Sequence, residues 1–338
     1  MITPRLCAPA YELGECAEPV TGLPELLADP AAAAELTAPA AGFHTYRWSD
    51  ADVTELMALA VGRTLAEAHV PGPDIDMVIL ATDSLPRDRT AHRDVAELLD
   101  ETGMDRATVL TTGLMDCATA MVAVGTAASY VRDGTARNVL VVTGDLADRA
   151  TGGARIVAGG AAIASDAAAS VLVSATAPGL PVRAMAHHSA PELNLGGGPQ
   201  QQLLSRINAH RALFARLAER TGTDLGTVRS VLPSNFARNV LKLYLGEVGL
   251  GDVLSLGNIG RIAHCLGSDP LINLADRLAQ EKTDRLAQEK TDRPAQEKDA
   301  PKGATGDDSL VLFGAGVSHL AAVLLGAQPL PGLPKEAP

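Results

Sequence analysis

The stretch that decides the fold runs from Leu114 to Val131 and reads LMDCATAMVAVGTAASYV. No charged side chain occurs between Ala118 and Val131, so a helix formed by this segment is apolar on every side. Such a helix has no face that suits water and has to be covered by other elements. We therefore predict an interior helix that begins near Cys117.

Segments on both sides of this helix alternate between helix and strand patterns. In the first half, helices are predicted at 51–70 and 93–103, and strands at 76–82, 107–111, 138–143 and 168–176. In the second half, helices are predicted at 201–221, 235–247 and 270–283, and strands at 228–232, 253–256 and 309–313. This alternation predicts an α/β fold whose sheet is covered on both faces.

The composition is that of a folded protein. The chain has 338 residues, of which 46% are hydrophobic and 20% charged, which is enough for two domains or one duplicated unit. Only 3% of the residues are aromatic, and the formal net charge is −12. Both values disfavour nucleic acid as a partner, and the charge also disfavours an anionic membrane surface.

Cysteine usage and the first residues indicate a reducing cytoplasm. The start of the chain, MITPRLCAPAYELGE, lacks a basic segment followed by an apolar one, and no apolar run is long enough to span a membrane. The cysteines show no CxxC spacing; they are Cys7, Cys16, Cys117 and Cys265.

One segment near the carboxyl end is repetitive. LAQEKTDR at 278–285 recurs at 286–293, and an altered copy, PAQEKDA, extends to residue 300. A period of eight residues keeps no apolar seam on one face of a helix, so we expect 284–308 to be a flexible, solvated insertion. A coiled coil that binds a partner is the alternative.

Cys117 admits two interpretations from local sequence alone. A thiol at the start of a buried helix meets the positive end of the helix dipole and free backbone N–H groups, which suits a nucleophile. A small buried hydrophobic residue is an equally good interpretation, because free cysteines are often found in cores.

Over about 250 residues the chain resembles ketoacyl synthase III of the thiolase superfamily. The segments that carry the resemblance occur in the family's order: DIDMVILAT at 74–82, Asp116-Cys117-Ala118 with its apolar helix, ARNVLVVTGD at 136–145, VLPSN at 231–235, SLGNIGRIAHCLGSDP at 255–270 and LVLFGAGVSHLAAVLL at 310–325.

The resemblance implies a thiolase fold, that is, five αβαβα layers in two similar halves, here 1–177 and 178–338, and a homodimer. It implies an acyl group carried covalently by Cys117. It also implies an oxyanion hole formed by the backbone N–H groups of Cys117 and Gly316.

Two departures from the family decide the expected chemistry. The catalytic histidine of condensing members is replaced by Ser234, in the sequence Pro233-Ser234-Asn235. The catalytic asparagine of the family can be aligned in two ways. Matching the dipeptide Gly-Asn aligns it with Asn258, whereas matching the helix that follows aligns it with His264. We favour the helix register, because periodic burial constrains an alignment better than two letters.

In that register His264 is followed five residues later by Asp269, at the start of the helix predicted at 270–283. An aspartate at a helix N-cap is held by backbone N–H groups and could orient the imidazole for proton transfer with Cys117. The sequence thus predicts a Cys117, His264 and Asp269 triad, similar to that of non-condensing acyltransferases of secondary metabolism. The alternative is that Asp269 only caps the helix.

Other candidates are weaker. His187 and His188 would point to opposite faces of a strand, and no ligand cluster accompanies them, so no metal is expected. Two basic groups could meet an acidic carrier protein but are more simply solvated faces; they are Arg87, Arg89, His92 and Arg93, and Arg206, His210, Arg211 and Arg216.

These features predict an acyltransferase without a cofactor. Its donor would be acyl-CoA or the phosphopantetheine thioester of an acyl carrier protein, and its acceptor a hydroxyl, an amine or a carrier thiol. Ser234, Asn235 and Asn258 are possible substrate contacts. The alternatives are a decarboxylative ketosynthase that uses Asn258 and a catalytically silent subunit that binds an acyl carrier.

Overall fold

The computed structural model describes residues 2–85, 90–290 and 309–326. Its strands are β1 Arg5–Leu13, β2 Cys16–Pro19, β3 Thr45–Trp48, β4 Met77–Ala81, β5 Thr108–Thr112, β6 Asn138–Asp145, β7 Ile156–Val157, β8 Ala162–Ile163, β9 Ala167–Ser174, β10 Leu180–Ser189, β11 Ser230–Pro233, β12 Leu310–Ala315 and β13 His319–Leu325. Its helices are α1 Pro24–Ala28, α2 Pro30–Leu36, α3 Val53–Ala68, α4 Thr90–Glu101, α5 Thr119–Asp133, α6 Ala147–Ala150, α7 Pro199–Thr221, α8 Arg238–Gly246, α9 Ile259–Ile262 and α10 Asp269–Lys290.

Nine of the described strands form one mixed sheet in the order β11-β12-β13-β10-β1-β9-β6-β4-β5. The order has an internal symmetry. On one side, β1 pairs with β9 and β9 with β6, both antiparallel, and β6 then pairs with β4 in parallel. On the other side, β10 pairs with β13 and β13 with β12, both antiparallel, and β12 then pairs with β11 in parallel. The two halves meet where β1 pairs with β10 over two residues.

Helices complete five layers. Alternate residues of β6 show the arrangement, because Val139 and Val141 pack with α5 and α10 between the two half-sheets, whereas Leu140 and Val142 pack with α3 and α4 outside. On the opposite side, α7 and α8 cover the other half-sheet. The predicted αβαβα layering in two similar halves is therefore confirmed, and the predicted division between residues 177 and 178 falls between β9 and β10.

The buried helix was placed correctly by its sequence. Nine residues of α5, from Thr119 to Val131, are buried, and the helix is closed by Gly134, whose φ of 84° suits the left-handed C-cap. A 3-10 turn, Asp116–Ala118, precedes it and contains Cys117. The helix therefore brings the turn that carries Cys117 to one end of the layer between the half-sheets.

Some sequence predictions were wrong or incomplete. Residues 253–256 form no strand; Leu254 makes only an isolated bridge to Val231. The helix predicted at 270–283 continues to Lys290, so the first residues of the predicted insertion 284–308 are helical, and 291–308 lie outside the described residues. In the part of the chain described, no helix is long and apolar enough to cross a membrane.

Candidate active site

A sharp turn presents Cys117. Leu114 and Asp116 have φ values of 61° and 49°, a conformation that non-glycine residues rarely adopt and that often marks functional turns. The turn is tied to the β12–β13 connection, because Oδ2 of Asp116 accepts hydrogen bonds from the amides of Val317 at 3.1 Å and Ser318 at 3.3 Å.

Glycine is required at position 316 for this close approach. A Cβ added to Gly316 would lie 2.1 Å from the Cβ of Asp116, which no packing allows. Gly316 also contradicts the prediction that its N–H completes an oxyanion hole, because that N–H donates to the carbonyl of His319 at 2.8 Å. The amide of Cys117 makes no hydrogen bond within the described residues and is the donor that is left.

Three side chains form one hydrogen-bonded line. Sγ of Cys117 lies 3.0 Å from Nε2 of His264, and Nδ1 of His264 lies 2.5 Å from Oδ2 of Asp269. His264 and Asp269 are fully buried, and Cys117 is 9% exposed. The structure therefore brings together the three residues that the helix register predicted.

The backbone of His264 is fixed on both sides. Its amide donates to the carbonyl of Ile163 at 2.9 Å, and its own carbonyl accepts from the amide of Ser165 at 2.8 Å. The Phe236 ring packs nearly perpendicular to the imidazole, with the ring centroids 5.1 Å apart. These contacts leave the imidazole little freedom to turn away from Cys117.

Asp269 is held differently from the prediction. It is the first residue of α10 and does not cap that helix; its carboxylate accepts hydrogen bonds from neighbouring segments. Besides His264, the donors are the backbone amide of Asn235 at 2.6 Å, the Asn235 side chain at 2.9 Å and the amide of Cys265 at 2.8 Å. A carboxylate, which only accepts, suits this cage, and Asn235 fixes its orientation.

Burial and neighbouring charges shift the pKa values of Cys117 and His264. Burial raises the pKa of the Cys117 thiol, and the neighbouring His264 opposes that rise. For His264, burial favours the neutral form, but a Cys117 thiolate and the Asp269 carboxylate stabilise the imidazolium and raise its pKa, so the neutral imidazole is a strong base toward the thiol. Because Nδ1 faces the carboxylate, Nε2 is the atom that takes the thiol proton.

A cavity of about 130 Å³ opens in front of Cys117. Gly267, Leu266 and Val157 lie on its wall together with the triad histidine. Its lining also contains Asp116 of the predicted turn and two carboxylates that the sequence analysis did not single out, namely Asp83 and Asp145. Asp83 comes two residues after β4, and Asp145 is the last residue of β6; these two strands are parallel neighbours, so their carboxyl ends lie side by side. This position at the carboxyl ends of parallel strands is the sequence signal that could have identified both residues as part of the site.

The residues predicted as substrate contacts do not line this cavity. Ser234 is fully buried, and its Oγ accepts from the amide of Ala315 at 3.0 Å. Asn258 donates to Asn273 at 2.9 Å and to Asp276 at 2.8 Å, behind the triad. The structure thus places Asn258 in a polar network that supports the fold, and the prediction that it contacts substrate is wrong for this geometry.

The weaker candidates lie elsewhere. His187 and His188 are successive residues of β10, and no group of three or more potential metal ligands occurs in the described ranges. In the basic group on α7, His210 is buried, Arg211 pairs with Glu247, and Arg216 donates to the carbonyl of His187. Arg87 and Arg89 lie outside the described residues.

Comparison with known proteins agrees with this architecture. Residues 114–190, which include the Cys117 turn and the buried helix, match the family described as 3-oxoacyl-[acyl-carrier-protein (ACP)] synthase III. This segment of the chain is therefore similar to ketoacyl synthase III. Comparison with curated protein sequences gives no match.

Solved structures share the thiolase fold at low sequence identity. ChlB3, described as an acyltransferase, is 18% identical with a TM-score of 0.72, over 96% of this chain and 98% of its own. OleA from Xanthomonas campestris is 14% identical with a TM-score of 0.71, over 97% and 100%. The 3-oxoacyl-[acyl-carrier-protein] synthase III from Aquifex aeolicus is 17% identical with a TM-score of 0.70, over 96% and 100%.

Proposed function

We propose that the protein is an acyltransferase that carries its acyl group on Cys117 and forms no carbon–carbon bond. The observation that carries the proposal is the buried line of Cys117, His264 and Asp269, with contacts of 3.0 and 2.5 Å. A nucleophile, a base and a group that orients the base are the parts that acyl transfer requires.

The first half-reaction loads the enzyme. Nε2 of His264 takes the proton from the Cys117 thiol, and Sγ attacks the carbonyl carbon of an acyl-CoA or acyl-carrier thioester. The N–H of Cys117 donates to the oxyanion that develops. Collapse of the tetrahedral intermediate breaks the bond to the donor sulfur, which leaves as a thiol with the proton from His264.

The second half-reaction returns the enzyme to its starting state. Nε2 of His264 takes a proton from the hydroxyl, amine or thiol of the acceptor, which attacks the carbonyl of the acyl-enzyme. The bond to Sγ breaks, and Cys117 recovers the proton from the imidazolium. Asp269 keeps Nδ1 protonated and Nε2 directed at Cys117 in both steps. Neither step uses a metal or a cofactor.

Two features argue against decarboxylative condensation. Ser234 stands where condensing members carry a histidine, and its hydroxyl is buried against the amide of Ala315. Asn258, the residue of the alternative register, is bound to Asn273 and Asp276 and does not reach Cys117. The acyltransferase description of ChlB3 supports the same proposal.

We propose further that the protein is a homodimer. Strand β5 lies at one edge of the mixed sheet, and Leu114, which follows it in the chain, is 81% exposed. A strand at the edge of a sheet has unpaired N–H and C=O groups, which favour pairing with a second copy.

The chemistry is tested with an acylated carrier and a malonyl carrier offered together, and with simple alcohols, amines and thiols as acceptors. The proposal expects acyl transfer and no release of carbon dioxide. Release of carbon dioxide with a 3-oxoacyl product would establish the ketosynthase instead. A protein whose Cys117 takes no acyl group from any thioester would be the silent carrier-binding subunit.

A further inference from the structure

The cavity in front of Cys117 has a polar wall that the proposed reaction does not use. Asp145, the last residue of β6, lines the cavity and is 7% exposed. Its Oδ1 accepts hydrogen bonds from Oγ1 of Thr82 at 3.0 Å, from the amide of Asp83 at 2.9 Å and from Oγ of Ser84 at 2.9 Å. Its Oδ2 has no donor among the residues that the structure describes.

The space in front of that free oxygen is kept open by a glycine. A Cβ added to Gly267, on the same cavity wall, would lie 3.9 Å from Oδ2 of Asp145 and 3.1 Å from Oγ1 of Thr143. The Thr143 hydroxyl is itself buried without a partner in the described structure. A larger residue at position 267 would press on the Thr143 hydroxyl and occupy the space beside Oδ2 of Asp145.

An unsatisfied carboxylate oxygen in such a place disfavours an apolar guest. Burial raises the pKa of Asp145 to about 6, although its three donors oppose the rise, so the group is still a carboxylate at neutral pH. An alkyl chain packed against Oδ2 would remove its remaining water and return no hydrogen bond. A hydroxyl or a protonated amine would supply the missing donor.

The cavity also limits the size of the guest. Its volume of about 130 Å³ is close to that of a protein cavity that holds one benzene ring, roughly six non-hydrogen atoms. A short acyl group attached to Cys117 therefore matches the space beside Asp145 in size.

We propose that the acyl group transferred by this enzyme is short and carries a hydrogen-bond donor, a hydroxyl or a protonated amine, which Oδ2 of Asp145 accepts. The inference rests on the proposed function, because it names the group that Cys117 carries. It assigns Asp145 to substrate selection in the loading step, before any acceptor is involved.

The test compares two pantetheine thioesters that differ in one group. The 3-hydroxybutyryl and 3-methylbutyryl groups have equal numbers of non-hydrogen atoms, with a hydroxyl in one and a methyl in the other. The rate at which each forms acyl-enzyme is followed by intact mass. The hydroxyl compound should load roughly 10- to 100-fold faster, the range expected for a hydrogen bond to a buried charged group.

Asp145→Asn identifies the residue responsible. An asparagine can keep an oxygen toward Thr82, Asp83 and Ser84, but it presents an amide donor to the cavity in place of Oδ2. The substrate hydroxyl can still accept from that amide, but the bond no longer involves a charge, so the preference should fall to roughly 2- to 10-fold. The ratio is the readout, because misfolding would lower both rates together. Asp148→Asn, an exposed aspartate three residues later, is the matched control and should keep the ratio.

The outcomes separate the two proposals. Equal loading of both compounds by the wild-type protein would overturn the inference and leave the proposed function standing. A preference that is undiminished in Asp145→Asn would overturn the role of Asp145. No acyl-enzyme with either compound or with any other thioester would overturn the proposed function and the inference with it. If Asp145→Asn fails to fold, the wild-type ratio alone still decides the substrate class.

Discussion

Asp269→Asn perturbs the proposed triad at the residue that orients the base. Both carboxylate oxygens of Asp269 accept two hydrogen bonds: Oδ1 from the Asn235 side chain and the Cys265 amide, and Oδ2 from the Asn235 amide and His264. An asparagine must turn its NH₂ group toward one of these pairs. Only the imidazole can change its tautomer and accept from that group, so the NH₂ group is expected to face His264.

The consequence for catalysis follows from the tautomer. With Nδ1 accepting a hydrogen bond, the proton sits on Nε2, which then points at Sγ of Cys117 and cannot take the thiol proton. Loss of the aspartate charge also removes one of the causes that raise the pKa of His264. We expect acyl loading to slow by on the order of 10³–10⁴, the loss typical of a triad with the wrong tautomer.

The free energy of unfolding should change less in Asp269→Asn than the free-energy barrier to acyl loading. The new NH₂ group also meets the N–H of Asn235, so one buried donor is left without an acceptor, which costs about 1–3 kcal/mol of the free energy of unfolding. Loading is measured by intact mass in single turnovers, and stability by urea unfolding. Asp252→Asn, at an exposed aspartate, is the control. Loading by a folded Asp269→Asn protein within threefold of wild type would refute the orienting role.

Three further predictions use other contacts. Asn235→Ala removes the side-chain donor to Asp269 at 2.9 Å but keeps the backbone donor, so loading should slow by roughly 5- to 50-fold, with about 1–3 kcal/mol lost in unfolding; unchanged loading would remove Asn235 from the site. Burial raises the pKa of Asp145 from 3.8 to about 6, so the protonated group stabilises the fold below pH 4 and this stabilisation is lost as the pH rises through 6. The free energy of unfolding of Asp145→Asn, relative to that of the wild type, should therefore increase by about 2–3 kcal/mol between pH 4 and pH 7.5. The same difference at both pH values would contradict this burial effect. Light scattering should report twice 34.8 kDa at micromolar concentration, whereas a monomer would contradict the proposed pairing at β5.

The sequence predicted the fold where burial is continuous. The helix segment around Met121 and strand β6 are too apolar to be stable when exposed to solvent, so their sequences alone place them in the core. Strand β1 was not predicted, although it lies in the middle of the sheet, because Pro9 interrupts it and its register shifts between Cys7 and Ala10. Pairing with β9 and β10 overrides these local signals.

The sequence predicted those parts of the site whose residues are close together along the chain. His264 and Asp269 are five residues apart, and the helix that follows set their register correctly. The contacts that depend on distant segments were not predictable: Asn235 lies 34 residues from Asp269 in the sequence and still supplies two of its donors. In the same way, only the meeting of β4 and β6 brings Asp145 to the cavity of Cys117.

The most direct test of the central claim is the mass of the protein after incubation with short acyl thioesters at neutral pH. The account predicts a mass increase of one acyl group, located on the peptide that contains Cys117, absent in Cys117→Ala and slowed by on the order of 10²–10⁴ in His264→Ala. An acyl group that never forms on Cys117, or that forms equally fast in His264→Ala, would contradict it.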